Sequence, residues 1–251
     1  MTKSLLITVS IGNKHNFLYK NFFAKNHRTY AKNYNYDLIV IEDYLDKNNK
    51  LSDYIFLQKL LICSQKFSLK YENIVYIDSD ILFNLKTATS LDFLFSNNKI
   101  CIADEYSQPT PKIRLQINKL YNWEKSATDY YKMYGFNLKT KVVLNTGFMI
   151  FKPRIHKTIL ENIYYKILEI AFNDLKKKQA LRKHFEQATI GYEFQKKNLW
   201  TILPKEWNAI WLLQKMSPGN SMNLLDFYAK NKAVHFCTGR DVNLIPKLLS
   251  D

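Results

Sequence analysis

Asn73-Ile-Val-Tyr-Ile-Asp-Ser-Asp-Ile-Leu-Phe83 is an apolar, β-branched run with two carboxylates, Asp78 and Asp80, set into it. Such a run is predicted to be a buried strand, because both of its faces are apolar. Unpaired carboxylates beside a core cost several kcal/mol or more, so they imply a compensating cation, most simply a bound divalent metal. Residues i and i+2 of an extended chain point to the same face, which lets both acids meet one ion. Two aspartates after a strand also make a turn that N-caps the next helix. Here Ile81-Leu82-Phe83 follows, without the Gly, Pro or Asn that a turn favours, so a site at the strand's carboxyl end is the expectation carried forward.

Outward from this strand the pattern alternates. Ser4 to Ile11 reads as a strand, Asn16 to Asn33 as a helix and Leu38 to Ile41 as a strand. Asp53 to Tyr71 is helical in its spacing and Ile74 to Ile77 is the third strand. Strand, helix, strand, helix, strand is the α/β grammar of a parallel sheet with covering helices, and ligands in such sheets bind at strand carboxyl ends, where Asp78 and Asp80 fall. Further strands are expected at Ile100–Ala103 and Val142–Phe151, with a partly helical aromatic segment, Asp104 to Lys141, between them. A long helix is expected from Ile155 to Lys183, carrying Lys176-Lys177-Lys178 and Arg182-Lys183. That basic run reads either as a solvated face or as a contact with an anionic membrane surface. With no repeat or low-complexity linker, the 251 residues are expected to form a single domain.

Composition narrows the function classes. The chain is 47% hydrophobic, ample for a packed core, and no apolar run approaches the roughly 18–20 residues that cross a bilayer. Three cysteines, Cys63, Cys101 and Cys237, stand far apart in apolar surroundings and read as reduced core residues of a cytosolic protein. A formal charge of +15 is compatible with nucleic acid, acidic lipid or phosphorylated substrates. Neither a Gly-x-Gly-x-x-Gly turn nor a Gly-x-x-x-x-Gly-Lys loop is present, so phosphate must be held by metal and basic side chains. His235, after the short apolar Lys232-Ala-Val, is a structural histidine by ordinary expectation and a third metal ligand when combined with the two aspartates. A mixed oxygen and imidazole set suits Mn2+ first, with Mg2+ as the alternative.

Four motifs then stand in order: Tyr76-Ile-Asp-Ser-Asp-Ile-Leu-Phe83, Leu144-Asn-Thr-Gly-Phe-Met-Ile-Phe-Lys-Pro153, Phe185-Glu-Gln-Ala-Thr-Ile190 and His235-Phe-Cys-Thr-Gly-Arg240. In this series the sequence resembles the retaining, metal-dependent glycosyltransferases of the GT-A fold. Two branches are similar: glycogenin with the bacterial lipopolysaccharide galactosyltransferases, and the xyloglucan xylosyltransferases with the galactomannan galactosyltransferases. The Asn26–Asp37 segment and the His-Phe spacing lean towards the second. Arg240, where relatives usually carry lysine, and Glu186, where they carry aspartate, depart from the pattern.

The resemblance implies a Rossmann-like mixed sheet flanked by helices, with a nucleotide-sugar-binding half at 1–103 and an acceptor-binding, catalytic half at 104–251. It implies metal ligation by Asp78, Asp80 and His235, and Gln187 and Glu186 at the reaction centre. Asn145, Gly147, Lys59, Arg240, Asp104 and Thr8 are expected on the substrate side. The donor implied is a UDP-sugar carrying a hexose such as galactose or glucose, and the acceptor a glycan or glycolipid, with no nucleic-acid partner. Trp123, Tyr130, Tyr131, Trp207 and Trp211 offer rings for sugar stacking or simply for the core. The competing readings are a sugar nucleotidyltransferase, for which Ile11-Gly-Asn-Lys14 is too thin a loop, and a basic nucleic-acid-binding protein.

Overall fold

The structure is a computed structural model that describes residues 4–47, 52–95, 98–175 and 184–249. In chain order the strands are β1 (Ser4–Val9), β2 (Asp37–Ile41), β3 (Asn73–Ile77), β4 (Ile81–Phe83), β5 (Ile100–Asp104), β6 (Leu144–Phe151), β7 (Trp200–Leu203), β8 (Ala209–Ile210) and β9 (Ala233–His235). The helices that position the site are α1 (Asn13–Leu18), α2 (Ala24–Asn33), α3 (Pro111–Leu120), α4 (Ala127–Met133), α5 (Pro153–Leu175) and α6 (Phe185–Lys196).

Six strands form one sheet in the order β2-β1-β3-β6-β5-β7. β2, β1 and β3 are parallel, β6 runs antiparallel to β3 and β5, and β7 is parallel to β5. The sheet is therefore mixed, as expected. A second, three-stranded sheet has the order β4-β9-β8. No helix among the described residues is long and apolar enough to cross a membrane.

β1, β3 and β5 are buried along their whole length, which is why they read as continuous apolar runs rather than alternating ones. On one face of the sheet, Leu57, Leu60 and Cys63 pack with Leu160, Ile163 and Ile167 of α5. The segment expected to be an α-helix from Asp53 to Tyr71 instead forms 3-10 turns over Ser52–Ser64 and Lys66–Lys70. Leu57, Leu60 and Cys63, each fully buried, are spaced by three, and only a helix of three residues per turn stacks i, i+3 and i+6 on one line. The helix expected from Asn16 to Asn33 begins earlier, at Asn13, and passes through a π-helical stretch at Tyr19–Phe23. Of the long basic helix, Pro153–Leu175 is described, and Lys176, Lys177, Lys178, Arg182 and Lys183 lie outside the described residues.

Two caps fix the aromatic segment after β5. The Thr110 hydroxyl accepts from Ile113 N ahead of Pro111 in the first turn of α3, and Ser126 does the same for Asp129 N in α4. Gly191 in α6 lets the Tyr131 ring of α4 lie against the helix, because a Cβ there would stand 2.4 Å from the Tyr131 hydroxyl.

Candidate metal centre

β3 ends at Ile77, and Asp78-Ser79-Asp80 carries the chain out of the large sheet into the small one, where β4 starts at Ile81. Ile81 is the cross-strand partner of His235, so the ring arrives beside the two acids through strand pairing. Two backbone hydrogen bonds lock the crossing, Asp78 N to Gly147 O (2.6 Å) and Phe236 N to Asp80 O (2.9 Å). His235 Nε2 lies 3.2 Å from Asp80 Oδ1 and 3.8 Å from Asp78 Oδ2. One ligand atom from each of Asp78, Asp80 and His235 falls within 4.8 Å of the others. Gly147 underlies the ring: a Cβ at that position would sit 2.4 Å from His235 Cε1.

The imidazole is oriented from behind. Its Nδ1 lies 3.0 Å from Asn208 Oδ1, and Asn208 Nδ2 donates to Asn145 Oδ1 at 2.9 Å. Asn208 thus presents its oxygen to the ring, His235 Nδ1–H donates to it, and Nε2 is turned towards the carboxylates, the arrangement of a metal-ligating histidine. Burial disfavours charge on His235, yet Cys237 and Asp80 raise its pKa well above the usual imidazole value. Burial itself keeps the Cys237 thiol protonated, so the effective negative charge is that of Asp80. Burial would also raise the Asp80 pKa, but His235 outweighs it and holds the acid below its ordinary value. Two half-buried carboxylates sharing one imidazole retain net negative charge, and the donor set fits a divalent cation such as Mn2+.

The opposite wall is built from acids that already have cations. Glu186, in the first turn of α6, pairs with Lys59 Nζ at 2.6 Å and accepts from Thr146 Oγ1 at 2.9 Å. Burial pushes the Lys59 pKa down, but Glu186 and then Asp78 more than restore it, leaving it raised. Glu105 pairs with Arg114 of α3 at 2.9 Å through Oε1. Its Oε2 accepts from Asn145 Nδ2 and from Gln187 Nε2, both at 3.0 Å. Burial works against its ionisation, yet Arg114 and these amides hold its pKa at about 2. Gln187 completes the wall, with Nε2 3.5 Å from the Tyr130 hydroxyl and Oε1 3.3 Å from Asn145 Nδ2.

The sequence matches no protein-family model and no curated protein. Solved structures do match. A glycosyltransferase involved in glycosylation of the major capsid of PBCV-1 superposes with a TM-score of 0.62 at 12% identity, covering 98% of this chain and 100% of that one. The galactosyltransferase LgtC, in complex with donor and acceptor sugar analogues, gives 0.55 at 11% identity over 97% of this chain and 94% of that one. The bifunctional glycosyltransferase WbbM gives 0.55 at 16% identity, covering 94% of this chain but 46% of that one.

The fold is that of the GT-A glycosyltransferases.

Within this glycosyltransferase fold the expected residues fall into three groups. Asp78, Asp80, His235 and Gly147 converge on the crossing between sheets, and Lys59, Glu186, Gln187 and Asn145 form the facing wall. Lys59, expected on the substrate side, is buried. Asn145 has both amide ends engaged inside the protein, since Oδ1 also accepts from Gly147 N at 3.0 Å. Asp104 sits at the end of β5, where Oδ1 accepts from the backbone of Tyr106 and Val143, and burial raises its pKa to about 6. Thr8 is fully buried in β1 and its hydroxyl has no hydrogen-bond partner among the described residues. Arg240 is exposed on the loop after β9.

Some expectations change. Cys63 and Cys101 are buried, but Cys237 is half-buried two residues from His235 rather than in the core. Of the stacking candidates, Trp207, Tyr131, Tyr130 and Trp211 are buried and Trp123 alone is exposed, at 37%. Gly147, expected on the substrate side, has the His235 ring over its Cα. Glu105 and Asn208 were missed. The signals were present: a second acid directly after Asp104 at a strand end, and an amide set between Trp207 and Ala209-Ile210 in an apolar run.

Proposed function

We propose that the chain is a metal-dependent, retaining glycosyltransferase that moves a hexose such as galactose or glucose from a UDP-sugar to a hydroxyl of a glycan or glycolipid. The observation that carries this reading is the convergence of Asp78, Asp80 and His235 Nε2 within 4.8 Å at the strand crossing of a GT-A fold. The neighbours' own descriptions support the substrate class, since LgtC was captured with donor and acceptor sugar analogues.

In glycosyl transfer from a nucleotide sugar the hard step is departure of the diphosphate while the sugar becomes cationic. Mn2+, or Mg2+, when held by Asp78, Asp80 and His235, supplies Lewis-acid stabilisation of that diphosphate. Arg240, on the exposed loop after β9, adds a charge-assisted hydrogen bond to the leaving group. Gln187 turns its Oε1 to the sugar, because its Nε2 is already committed to Glu105 and Tyr130. Glu186 accepts from sugar hydroxyls with the oxygen that Lys59 and Thr146 do not use. Asn145 and Gly147 shape the pocket from behind, and Asp104 fixes the turn that leads from β5 to Glu105.

For the nucleotide, the carboxyl end of β1 is the proposed seat. Thr8 Oγ1, Ser10 Oγ, Asn16 Oδ1 and Tyr19 OH are buried there or in the helix that follows, with no partner among the described residues. Each such group costs about 1–3 kcal/mol when left unpaired, and a base or ribose would satisfy it.

A hydrolysis screen across UDP- and GDP-sugars with Mn2+ tests the proposal: UDP-hexose turnover that stops with EDTA supports it, and inertness towards every sugar nucleotide overturns it. Melting with UDP separates the reading from nucleic-acid binding. The transferase is stabilised by UDP only when Mn2+ is present, whereas a nucleic-acid-binding protein shows salt-dependent affinity indifferent to Mn2+.

A further inference from the structure

Behind the reacting groups runs one continuous line of hydrogen bonds with a single possible direction. Arg114 holds Glu105 Oε1 at 2.9 Å. Glu105 Oε2 takes Asn145 Nδ2 at 3.0 Å, Asn145 Oδ1 takes Asn208 Nδ2 at 2.9 Å, and Asn208 Oδ1 takes His235 Nδ1 at 3.0 Å. A branch leaves the same carboxylate oxygen for Gln187 Nε2 at 3.0 Å. Arg114, Asn145, Asn208, Gln187 and His235 are all at least nine-tenths buried.

We infer that Glu105 is a positioning residue, one whose carboxylate sets the direction of both amide branches and so aims Gln187 Oε1 at the sugar and His235 Nε2 at the metal. The inference rests on the proposed glycosyl transfer at this site.

A side-chain amide reads equally well in two orientations unless a partner breaks the tie, and an ionised carboxylate can only accept. Glu105 stays ionised throughout the working range, since Arg114 and the amides hold its pKa at about 2 against the effect of burial. With Nδ2 of Asn145 drawn to Glu105, its oxygen must face Asn208, whose own oxygen must then face the imidazole N–H. Gly147 N also donates to Asn145 Oδ1, at 3.0 Å, so the histidine branch has a second anchor. The Gln187 branch has a second anchor that itself hangs on Asn145, whose Nδ2 donates to Gln187 Oε1 at 3.3 Å, while the Tyr130 hydroxyl, 3.5 Å from Nε2, can donate or accept. Loss of Glu105 therefore removes the shortest contact of Gln187 directly and reaches His235 only through Asn145. Arg114 sharpens the effect, because in Glu105→Gln it would claim the new amide oxygen and leave an NH2 facing the donors of Asn145 and Gln187.

The test measures kcat and KM for sugar-nucleotide hydrolysis, the Mn2+ dissociation constant without nucleotide by electron paramagnetic resonance, and melting temperature. They are compared for the wild type, Glu105→Gln and Glu105→Asp. The expected result for a folded Glu105→Gln is kcat lower by about 10²-fold with donor KM within roughly threefold. Mn2+ affinity should weaken by up to about tenfold, as for other residues that orient a metal ligand. Glu105→Asp, which keeps an acceptor-only group, should recover most of both losses. A folded Glu105→Gln with unchanged kcat overturns the inference, as does a lower melting temperature with unchanged turnover per folded molecule. If Glu105→Gln does not fold, Arg114→Lys decides: kcat falling at least tenfold supports the inference and an unchanged kcat overturns it. A wild type inert towards every sugar nucleotide refutes the proposed function instead, while the Mn2+ constants still read the histidine branch.

Discussion

Two sides of one site carry acids in opposite states. On one wall Glu186 has Lys59 at 2.6 Å and Glu105 has Arg114 at 2.9 Å. On the other, Asp78 and Asp80 share a single imidazole, at 3.8 and 3.2 Å. The first wall is neutralised by the chain itself and acts as framework. The second keeps net negative charge, which the proposed cation would offset. Acid count alone would not separate them; the presence of an internal cation does.

The contrast breaks hardest at the uncompensated wall. Asp80→Asn or His235→Ala should lower Mn2+-dependent hydrolysis of the sugar nucleotide by about 10³-fold or more, given a metal's several kcal/mol of charge stabilisation. The melting temperature in EDTA should fall only modestly for Asp80→Asn, since the lost pairing with His235, 3.2 Å away, is partly offset by relief of repulsion with Asp78. A large loss of melting temperature instead would place Asp80 among the framework acids.

At the compensated wall the order reverses. Lys59→Met strands a buried Glu186 and should cost about 3 kcal/mol in urea unfolding, most of which returns in Lys59→Met/Glu186→Leu. If the single change is neutral, the pair is not what holds this wall.

A fifth acid, Asp104, sharpens the comparison through pH. Burial raises its folded pKa from 3.8 to about 6, so between those values the folded state binds more protons than the unfolded one, and stability falls as pH rises. Asp104→Asn keeps an oxygen for the Tyr106 and Val143 amides and should stabilise the protein at pH 7 by on the order of 2 kcal/mol, with little effect at pH 4. Equal gains at both pH values would mean that the carboxylate's charge is not the cause.

The smallest change tests the crossing itself. Gly147→Ala puts a methyl 2.4 Å from His235 Cε1, so the ring must move, and Mn2+ affinity is expected to weaken about tenfold, measured on protein that still melts cooperatively. Unchanged affinity would mean that the ring is free to shift without leaving the acids.

Much of this was legible in the residues. Strand β3 with Asp78 and Asp80 at its end follows from an apolar, β-branched run interrupted by charge, and His235 follows from the wish for a third ligand after a short strand. The mixed sheet was implied by the motif order rather than by periodicity, since β3 and β6 are buried on both faces and an antiparallel neighbour leaves no mark on such a run. What sequence could not supply was partnership across distance. Glu105 and Arg114 are nine residues apart with a turn between them, and Lys59 and Glu186 meet from elements far apart in sequence. A lysine of that kind looks the same as a solvated one until the fold is known. Asn145, expected on the substrate side, also has its amide held at both ends within the protein. Its position comes from an irregularity where β6 shifts register against β5 between Ile102 and Ala103, which no pattern of residue types announces.

Under the proposed function, Asp78, Asp80 and His235 jointly grip one divalent cation. Titration of Mn2+ into metal-free protein, with the free ion followed by electron paramagnetic resonance, measures that grip. The wild type should take up about one equivalent, and Asp80→Asn and His235→Ala should lose that uptake. Uptake by His235→Ala as tight as that of the wild type, or none by the wild type, would contradict it.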